Sequence, residues 1–229
     1  MTLYETVFTR RAVRKYDAEP LNAKTLADIQ TFLNQTDQMQ GQKGAFEIVP
    51  ASAVKGAQAP HYILVYCEPN DAARANVGYV LENCDLYIQS LGLGSIFLGM
   101  AKLVQKRADY CITLAFGKSA APFRKTEQDF NRLPLAEISD ADNAITRAAR
   151  LAPSAMNSQP WKIEFGGNLV KVNYFGRGLT KLMLKSMNKV DVGIISRHIA
   201  VALQNDGKTV SSVVPKADGK GFRVEISYQ

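Results

Sequence analysis

The chain has 229 residues and a mass of 25.2 kDa, enough for a sizeable core in one large domain or two small ones. Hydrophobic residues make up 46% and charged residues 21%, a balance that excludes wholesale disorder. Lys and Arg exceed Asp and Glu by 28 to 21, a net charge of +7, which favours anionic partners (phosphates, nucleotides, nucleic acid or an anionic membrane) without choosing among them.

No apolar run approaches the ~18 residues of a spanning helix, and the N-terminal stretch, with Glu5 and no hydrophobic block, is not a secretory signal. Three cysteines, Cys67, Cys84 and Cys111, stand at wide, irregular spacing. They read as reduced thiols of a cytoplasmic protein rather than a disulfide frame or zinc site. With His61 and His198 as the only histidines, a His-rich metal site is excluded.

Thr2–Arg10 reads as a short helix ending in a basic cluster. Asn22 caps a clearer helix to Gln35, with Leu26, Ile29 and Leu33 on one face. Residues Thr36–Gly44 are a polar loop. Phe46–Val49 and Tyr62–Cys67 are strands by their β-branched and aromatic content. Asp71–Leu91 is a long helix with a core stripe of Val77, Leu81, Cys84, Ile88 and Leu91. Ser95–Leu98 follows as a short apolar strand or turn, and Tyr110–Phe116 as another strand. Lys118–Leu133 is a polar, basic arm. Ser139–Leu151 is a helix with Ser139 and Asp142 as its capping box, stopped by Pro153. Trp161–Phe165 and Leu169–Phe175 form a hairpin turned at Gly166-Gly167-Asn168. Asp191–Leu203 is another apolar helix, and Phe222–Ser227 closes the chain as a strand.

The two halves echo each other. A shift of 115 residues lays Phe46-Glu47-Ile48 on Trp161-Lys162-Ile163, Asn76-Val77-Gly78 on Asp191-Val192-Gly193, and the helix at Asn22–Gln35 near that at Ser139–Leu151. One offset shared by helix, strand and helix points to an internal duplication.

Two segments carry chemistry. Arg10-Arg11-Ala12-Val13-Arg14 places three guanidiniums within five residues. Arg binds phosphate through planar, charge-assisted hydrogen bonds of about 1.5–3 kcal/mol each; the same cluster also serves as a solvated helix end. Ala152–Trp161 sets Ser154, Asn157 and Gln159 on a Pro-stiffened loop. Their hydroxyl and amide groups can read the edge of a heteroaromatic ring or simply close an Asx-type turn. Trp161, which starts a strand, reads as core rather than a stacking partner, and His198 as a satisfied core or surface residue. No Gly-x-Gly-x-x-Gly strand–turn–helix fingerprint marks a dinucleotide site, and no zinc module, helix-turn-helix signal or basic aromatic stripe marks a nucleic-acid binder.

Together these segments resemble the FMN-dependent nitroreductase family. Its arginine motif matches Arg10–Tyr16, and its Ala-Pro-Ser-x-x-Asn-x-Gln-Pro-Trp segment matches Ala152–Trp161. Its Gly-Leu-Gly-Ser turn reads Gly92-Leu93-Gly94-Ser95 here and leads to Leu98-Gly99-Met100, and its strand-to-basic-arm passage matches Phe116-Gly117 with Arg124-Lys125. The order departs from the family: the Pro-Ser loop follows the arginines by about 140 residues, residues 37–45 lack it, and Ala12 replaces a frequent Ser. The chain is similar to a family homodimer fused in one chain, with one of two half-sites lost.

The resemblance implies an α+β fold of mostly antiparallel sheet flanked by helices, built twice with pseudo-twofold symmetry from halves 1–137 and 138–229. It implies an FMN site between the halves. Arg10, Arg11 and Arg14 would hold the phosphate and ribityl chain, with Arg124 or Lys125 adding charge. Pro153, Ser154, Asn157 and Gln159 would line the flavin, and Leu98, Gly99 and Met100 would lie by its ring. NADH or NADPH would deliver a hydride, and a small quinone or nitro compound would receive it. No acid–base pair is evident, and none is required when the cofactor carries the chemistry. The alternative is a flavin- or nucleotide-binding protein without turnover. Neither nucleic acid nor a membrane is an expected partner, and a monomer suffices for a complete site.

Overall fold

Four helices of this chain start where a short polar side chain meets an otherwise unpaired backbone N–H. The structure, a computed structural model, describes residues 1–178, 183–219 and 221–229. Thr2 and Glu5 form a reciprocal capping box on α1 (Leu3–Val7). Asn22 caps α2 (Ala23–Gln35), and Asn70 caps α3 (Asp71–Ser90). Asn143 and Thr146 box the start of α4 (Ala144–Arg150), and α5 spans Met187–Asn205.

Three expectations change. The first helix ends at Val7, and Arg10–Arg14 leave it as extended chain. The helix expected from Ser139 begins at Ala144, because Asn143 is the residue whose side chain reaches the N3 N–H. Ser139 instead accepts from the Ala141 N–H at 3.1 Å and bridges Ile163, while Asp142 pairs with Arg147 at 2.7 Å. Leu91, at the C-cap of α3, is 46% exposed. It drops out of the stripe, whose other members, Val77, Leu81, Cys84 and Ile88, are all buried.

The strands form two antiparallel sheets. β1 (Ala45–Pro50), β2 (His61–Tyr66), β3 (Gly94–Leu98) and β4 (Tyr110–Gly117) pair in the order β1-β2-β4-β3. β5 (Trp161–Gly166), β6 (Leu169–Tyr174), β7 (Val210–Asp218) and β8 (Gly221–Tyr228) pair in the order β5-β6-β8-β7. The fold is thus α+β, with antiparallel sheets flanked by helices. Gly167, at φ +58, turns the β5–β6 hairpin, a conformation in which glycine carries no Cβ penalty.

Side-chain alternation explains why β2 is buried throughout. Its Ile63 and Val65 enter the large core shared with α3, while Tyr62, Leu64 and Tyr66 enter a second cluster with Val49, Val54 and Leu103. The large core also takes Val172, Val224 and Ile226 from the second sheet, Val77 and Leu81 from α3, and Ile195 and Ile199 from α5. A third cluster seats Val7 of α1 against Leu86, Ala148 and Val201.

The two sheets share one strand order, and the 115-residue offset reappears where the halves meet. A Cβ on Gly78 of α3 would stand 1.9 Å from the Val190 carbonyl oxygen of α5. A Cβ on Gly193 would stand 1.8 Å from the Ala75 carbonyl oxygen. Each contact maps onto the other under the offset, so α3 and α5 cross symmetrically, backbone against backbone. Both obstacles are main-chain atoms, which cannot rotate away. An exposed mid-helix Gly→Ala change stabilises by roughly 0.5–1 kcal/mol. Gly193→Ala and Gly78→Ala should do the opposite and destabilise by ~3 kcal/mol through overpacking. Urea unfolding checks the sign; a neutral or stabilising result at either position would mean that the crossing is not this close.

Candidate functional site

The arginine segment is positioned by β-pairing. Ala12 bridges Ser95 of β3 in parallel, and the Val13 N–H donates to the Ser95 carbonyl at 2.9 Å. In extended chain, alternate side chains share a face. Arg10, Ala12 and Arg14 therefore face one way, into a cavity of about 180 Å³. Val13 faces the other way and is buried against Gly94, where a Cβ would lie 2.7 Å from its Cγ1. Arg11 also turns aside, its Nη1 donating to the Pro122 carbonyl at 2.8 Å.

The second half supplies the opposite wall. Met187, Val190, Asp191 and Ile194 line the cavity from one face of α5, at the i, i+3, i+4, i+7 spacing of a helix surface. Pro153, Ser154, Ala155 and Met156 line it from the loop before β5, and Ile96, Phe97, Gly99 and Ile112 complete it from the first sheet. A Cβ on Gly99 would lie 1.5 Å from the Cε of Met187, so the methionine packs directly over that glycine. A wider, shallower depression of about 490 Å³ at Asp71, Tyr174, Lys189 and Phe222 involves none of the residues singled out from the sequence.

Arg10 is not a solvated cation. It is 2% exposed, and its Nε donates to Asp85 Oδ2 at 2.9 Å, with Glu82 Oε1 at 3.7 Å. Asp85 also accepts from Ser95 Oγ at 2.5 Å and from Gln89 Nε2 at 3.1 Å, and Gln89 Oε1 accepts the Arg11 N–H at 2.9 Å. Behind them His198 lies 2.7 Å from Glu82 Oε1 through Nε2 and 3.1 Å from the Ala148 carbonyl through Nδ1. A carbonyl only accepts, so Nδ1 carries a proton. Burial pushes the Glu82 carboxyl up, against the opposing charge of Arg10. His198 is thus a satisfied core residue joining α5 to α3 and α4, and Trp161 is buried as expected.

Arg124 donates through Nη1 to the Arg10 carbonyl and stacks 4.2 Å from the Phe130 ring centroid. Burial, then repulsion from Arg10 and Arg11, lowers it to about 10. Arg132, which the sequence reading passed over, is lowered to about 9 by burial and by Arg10 and Arg124; its Nε is buried without a hydrogen-bond partner. Positive charge thus accumulates beside Arg10 beyond what Asp85 and Glu82 offset. Arg14 lines the cavity with no hydrogen bond or ion pair among the described residues.

The Pro-Ser loop divides its polar side chains. Ser154 and Pro153 line the cavity. Asn157 and Gln159 serve the loop itself: Asn157 accepts from Arg132 Nη1 at 2.8 Å and donates to the Asn131 carbonyl at 2.8 Å. Gln159 accepts the Leu133 N–H at 2.9 Å and is buried. These bonds hold a backbone with positive φ at Met156, Asn157 and Gln159 (51, 55 and 46), a conformation that L-residues adopt only where their surroundings enforce it. Met100 is 88% exposed and Lys125 is a surface residue bonded through its N–H to Asp129; neither lines the cavity, and Leu98 is half-buried behind Gly99.

Asp191 is the residue the sequence reading missed. It is 3% exposed, and Oδ1 accepts the Ala155 N–H at 3.0 Å while Oδ2 has no partner. Burial raises its carboxyl to about 8, with the Ala155 N–H pulling the other way. Only its place opposite the Pro-Ser loop distinguishes it from an ordinary helix aspartate.

No curated protein matches the chain. Among solved structures, it is similar to a "putative nitroreductase" from Thermotoga maritima at 19% identity, covering 99% of this chain and 94% of that one with a TM-score of 0.74. The FMN-dependent nitroreductase of Clostridium difficile aligns at 17% identity over 53% of this chain and 91% of its own, with a TM-score of 0.43. The NADPH:FMN oxidoreductase of Vibrio harveyi aligns at 14% identity over 52% and 70%, also with a TM-score of 0.43. The family model described as "Putative TM nitroreductase" matches residues 2–203, and by that match over most of its length the chain belongs to this nitroreductase family.

Proposed function

We propose that the protein is an FMN-dependent oxidoreductase that takes a hydride from NADH or NADPH and reduces small quinone or nitro compounds. The observation that carries this reading is the composite cavity, to which Arg10 and Arg14 contribute from one half and Pro153 and Ser154 from the other. The residues suit the group. Arg14 has its charge available for a phosphate, and the excess positive charge of Arg10, Arg124 and Arg132 favours an anion nearby. Ile96, Phe97, Ile112, Val190 and Ile194 offer an apolar bed for a ring system, and Gly99 lets a ligand approach the backbone.

Bound FMN would supply hydride transfer; the chain supplies binding, orientation and exclusion of water. The cavity volume of about 180 Å³ is below the roughly 300–1,000 Å³ of small-molecule sites. Met187 and the exposed Met156 are the walls that would yield, since a methionine has three rotatable bonds. Asn157 and Gln159 would act by holding the loop. Arg11 and Lys125 would add charge from outside the cavity, and Leu98 and Met100 would flank its glycine. Halves 1–137 and 138–229 would form one flavin-binding unit in the cytoplasm.

Arg10 and Arg14 separate binding from stability. Arg14→Ala should weaken FMN binding at least tenfold, read by quenching of flavin fluorescence, while leaving urea unfolding unchanged. Arg10→Ala should cost about 3–5 kcal/mol of stability, because it leaves the buried Asp85 without its cation. Unaltered FMN affinity in Arg14→Ala would remove that residue from the site.

Stoichiometry follows from the halves. Titration of the apoprotein with FMN, combined with light scattering, should give one FMN per chain in a monomer. Two equivalents, or binding only on dimerisation, would overturn the single composite site. One cavity serving donor and acceptor in turn should produce ping-pong kinetics with mutual competition; a detectable ternary complex would count against it.

A further inference from the structure

The two halves place related residues at related positions, and one pair differs in a way that packing does not require. Asn76 of α3 and Asp191 of α5 are related by the 115-residue offset. Asn76 uses both ends of its amide: Oδ1 accepts the Met39 N–H at 2.8 Å, and Nδ2 donates to Gln38 Oε1 at 2.9 Å. Asp191 makes the matching first contact, Oδ1 to the Ala155 N–H at 3.0 Å. It has no counterpart of the second, and Oδ2 is buried without a partner. Asn76 is held against Met39, itself 1% exposed, in a loop whose Asp37 accepts from Arg197 at 3.0 Å. Around Asp191 the corresponding space is the cavity. An amide makes the matching loop contact on α3, as Asn76 shows; the carboxyl adds an unengaged oxygen, buried at the wall that Asp191 gives the cavity.

We propose that Asp191 is a catalytic proton donor of this cavity, its Oδ2–H serving an oxygen or nitrogen acceptor atom of the electron-accepting substrate. The inference rests on the oxidoreductase reading above. A quinone becomes a hydroquinone by gaining two electrons and two protons. NAD(P)H supplies both electrons and one proton as hydride equivalent. Asp191 gives the second proton from Oδ2 to the substrate oxygen, and its carboxylate recovers one from water.

The electrostatic surroundings suit a carboxyl that keeps its proton. Burial holds Asp191 near 8, so the acid form dominates at neutral pH, close to the working range of an effective general acid. The cations that could ionise it are engaged elsewhere or lie at the other wall. Arg10 is bound by Asp85 and Glu82. Lys189 on the same helix is bound to Asp71 at 2.7 Å and packs on Tyr174. Arg197 is turned to Asp37. Arg14, across the cavity, has no such partner among the described residues; Ile96, Phe97 and Ile112 of the first sheet and Pro153–Met156 of the loop bring no titratable group.

Asp191→Asn is the test, with Asn76 as the precedent that an amide fits there. In ligand-free protein, the raised Asp191 favours the folded state fully below the ordinary aspartate range, and that contribution is lost as pH rises toward and through about 8. Wild-type stability should therefore fall across that window relative to Asp191→Asn, and an infrared carboxyl band should titrate near its top and be missing from the variant. In FMN-loaded protein, the acceptor-reducing half-reaction should slow as pH rises through about 8. In Asp191→Asn it should be about a hundredfold slower and flat in that range, with FMN affinity and flavin reduction by NAD(P)H retained. Retained FMN binding with a half-reaction indifferent to the substitution would overturn the proposal and leave the oxidoreductase reading intact. Absence of FMN binding in wild type would overturn the reading beneath it, even with the carboxyl titrating near 8. A carboxyl titrating in the ordinary aspartate range would overturn the donor role whatever the flavin does.

Discussion

The close crossing of α3 and α5 is the constraint from which the rest of the structure follows. Helices meet backbone to backbone only where no Cβ intervenes, and here Gly78 and Gly193 each face a carbonyl oxygen of the other helix. Bringing the axes together sets the buried carboxylates of α3 beside the cations and imidazole that need them. Glu82 reaches His198 on α5, and Asp85 reaches Arg10 on the N-terminal segment. The same crossing carries the first two turns of α5 to the edge of the first sheet, where Met187, Val190, Asp191 and Ile194 meet Ile96 and Ile112. A residue larger than glycine at either crossing point would separate the cavity's walls as well as the core.

Much of this arrangement was legible in the sequence because it is local or periodic. The cap of α2, the α3 stripe from Val77 to Ile88 and the β5–β6 hairpin depend on neighbours within a few residues. The shared offset was legible too, and it holds at α2, β1, α3 and β3 but drifts at β2, where the first half inserts the segment from Ala51 to Pro60 ahead of the strand. β7 escaped notice for a physical reason. It carries Ser211, Ser212, Pro215 and Lys216 and buries only Val213, as an edge strand with one wet face does.

What the sequence did not disclose is direction. Arg, Asn and Gln offer the same donors whether they face a ligand or the protein's own backbone. The partner of Arg10 is Asp85, 75 positions away, and those of Asn157 and Gln159 lie in the arm at Asn131–Leu133. Extended pairing of Ala12 with Ser95 decides that Arg14 faces the cavity and Arg11 does not. A helical reading of Arg10–Arg14 sets Arg14 beside both Arg10 (i, i+4) and Arg11 (i, i+3) and cannot make that distinction.

The two halves differ in what surrounds the related positions Asn76 and Asp191. In the first half, Met39 is buried in the loop, and Arg197, Asp37 and Tyr79 are bonded together: Asp37 accepts from Arg197 at 3.0 Å and from the Tyr79 hydroxyl at 2.9 Å. In the second, Ala155 stands near the position of Met39, and among the described residues no such cluster is bonded there and Asp191 Oδ2 has no hydrogen-bond partner. Filling a cavity with a methionine and a satisfied ion pair gains apolar burial and packing. Leaving a carboxyl oxygen buried without a hydrogen bond costs roughly 1–3 kcal/mol. That cost persists on the wall facing Arg14, so one cavity is bounded by a buried carboxyl oxygen and by a cation, neither of them paired among the described residues.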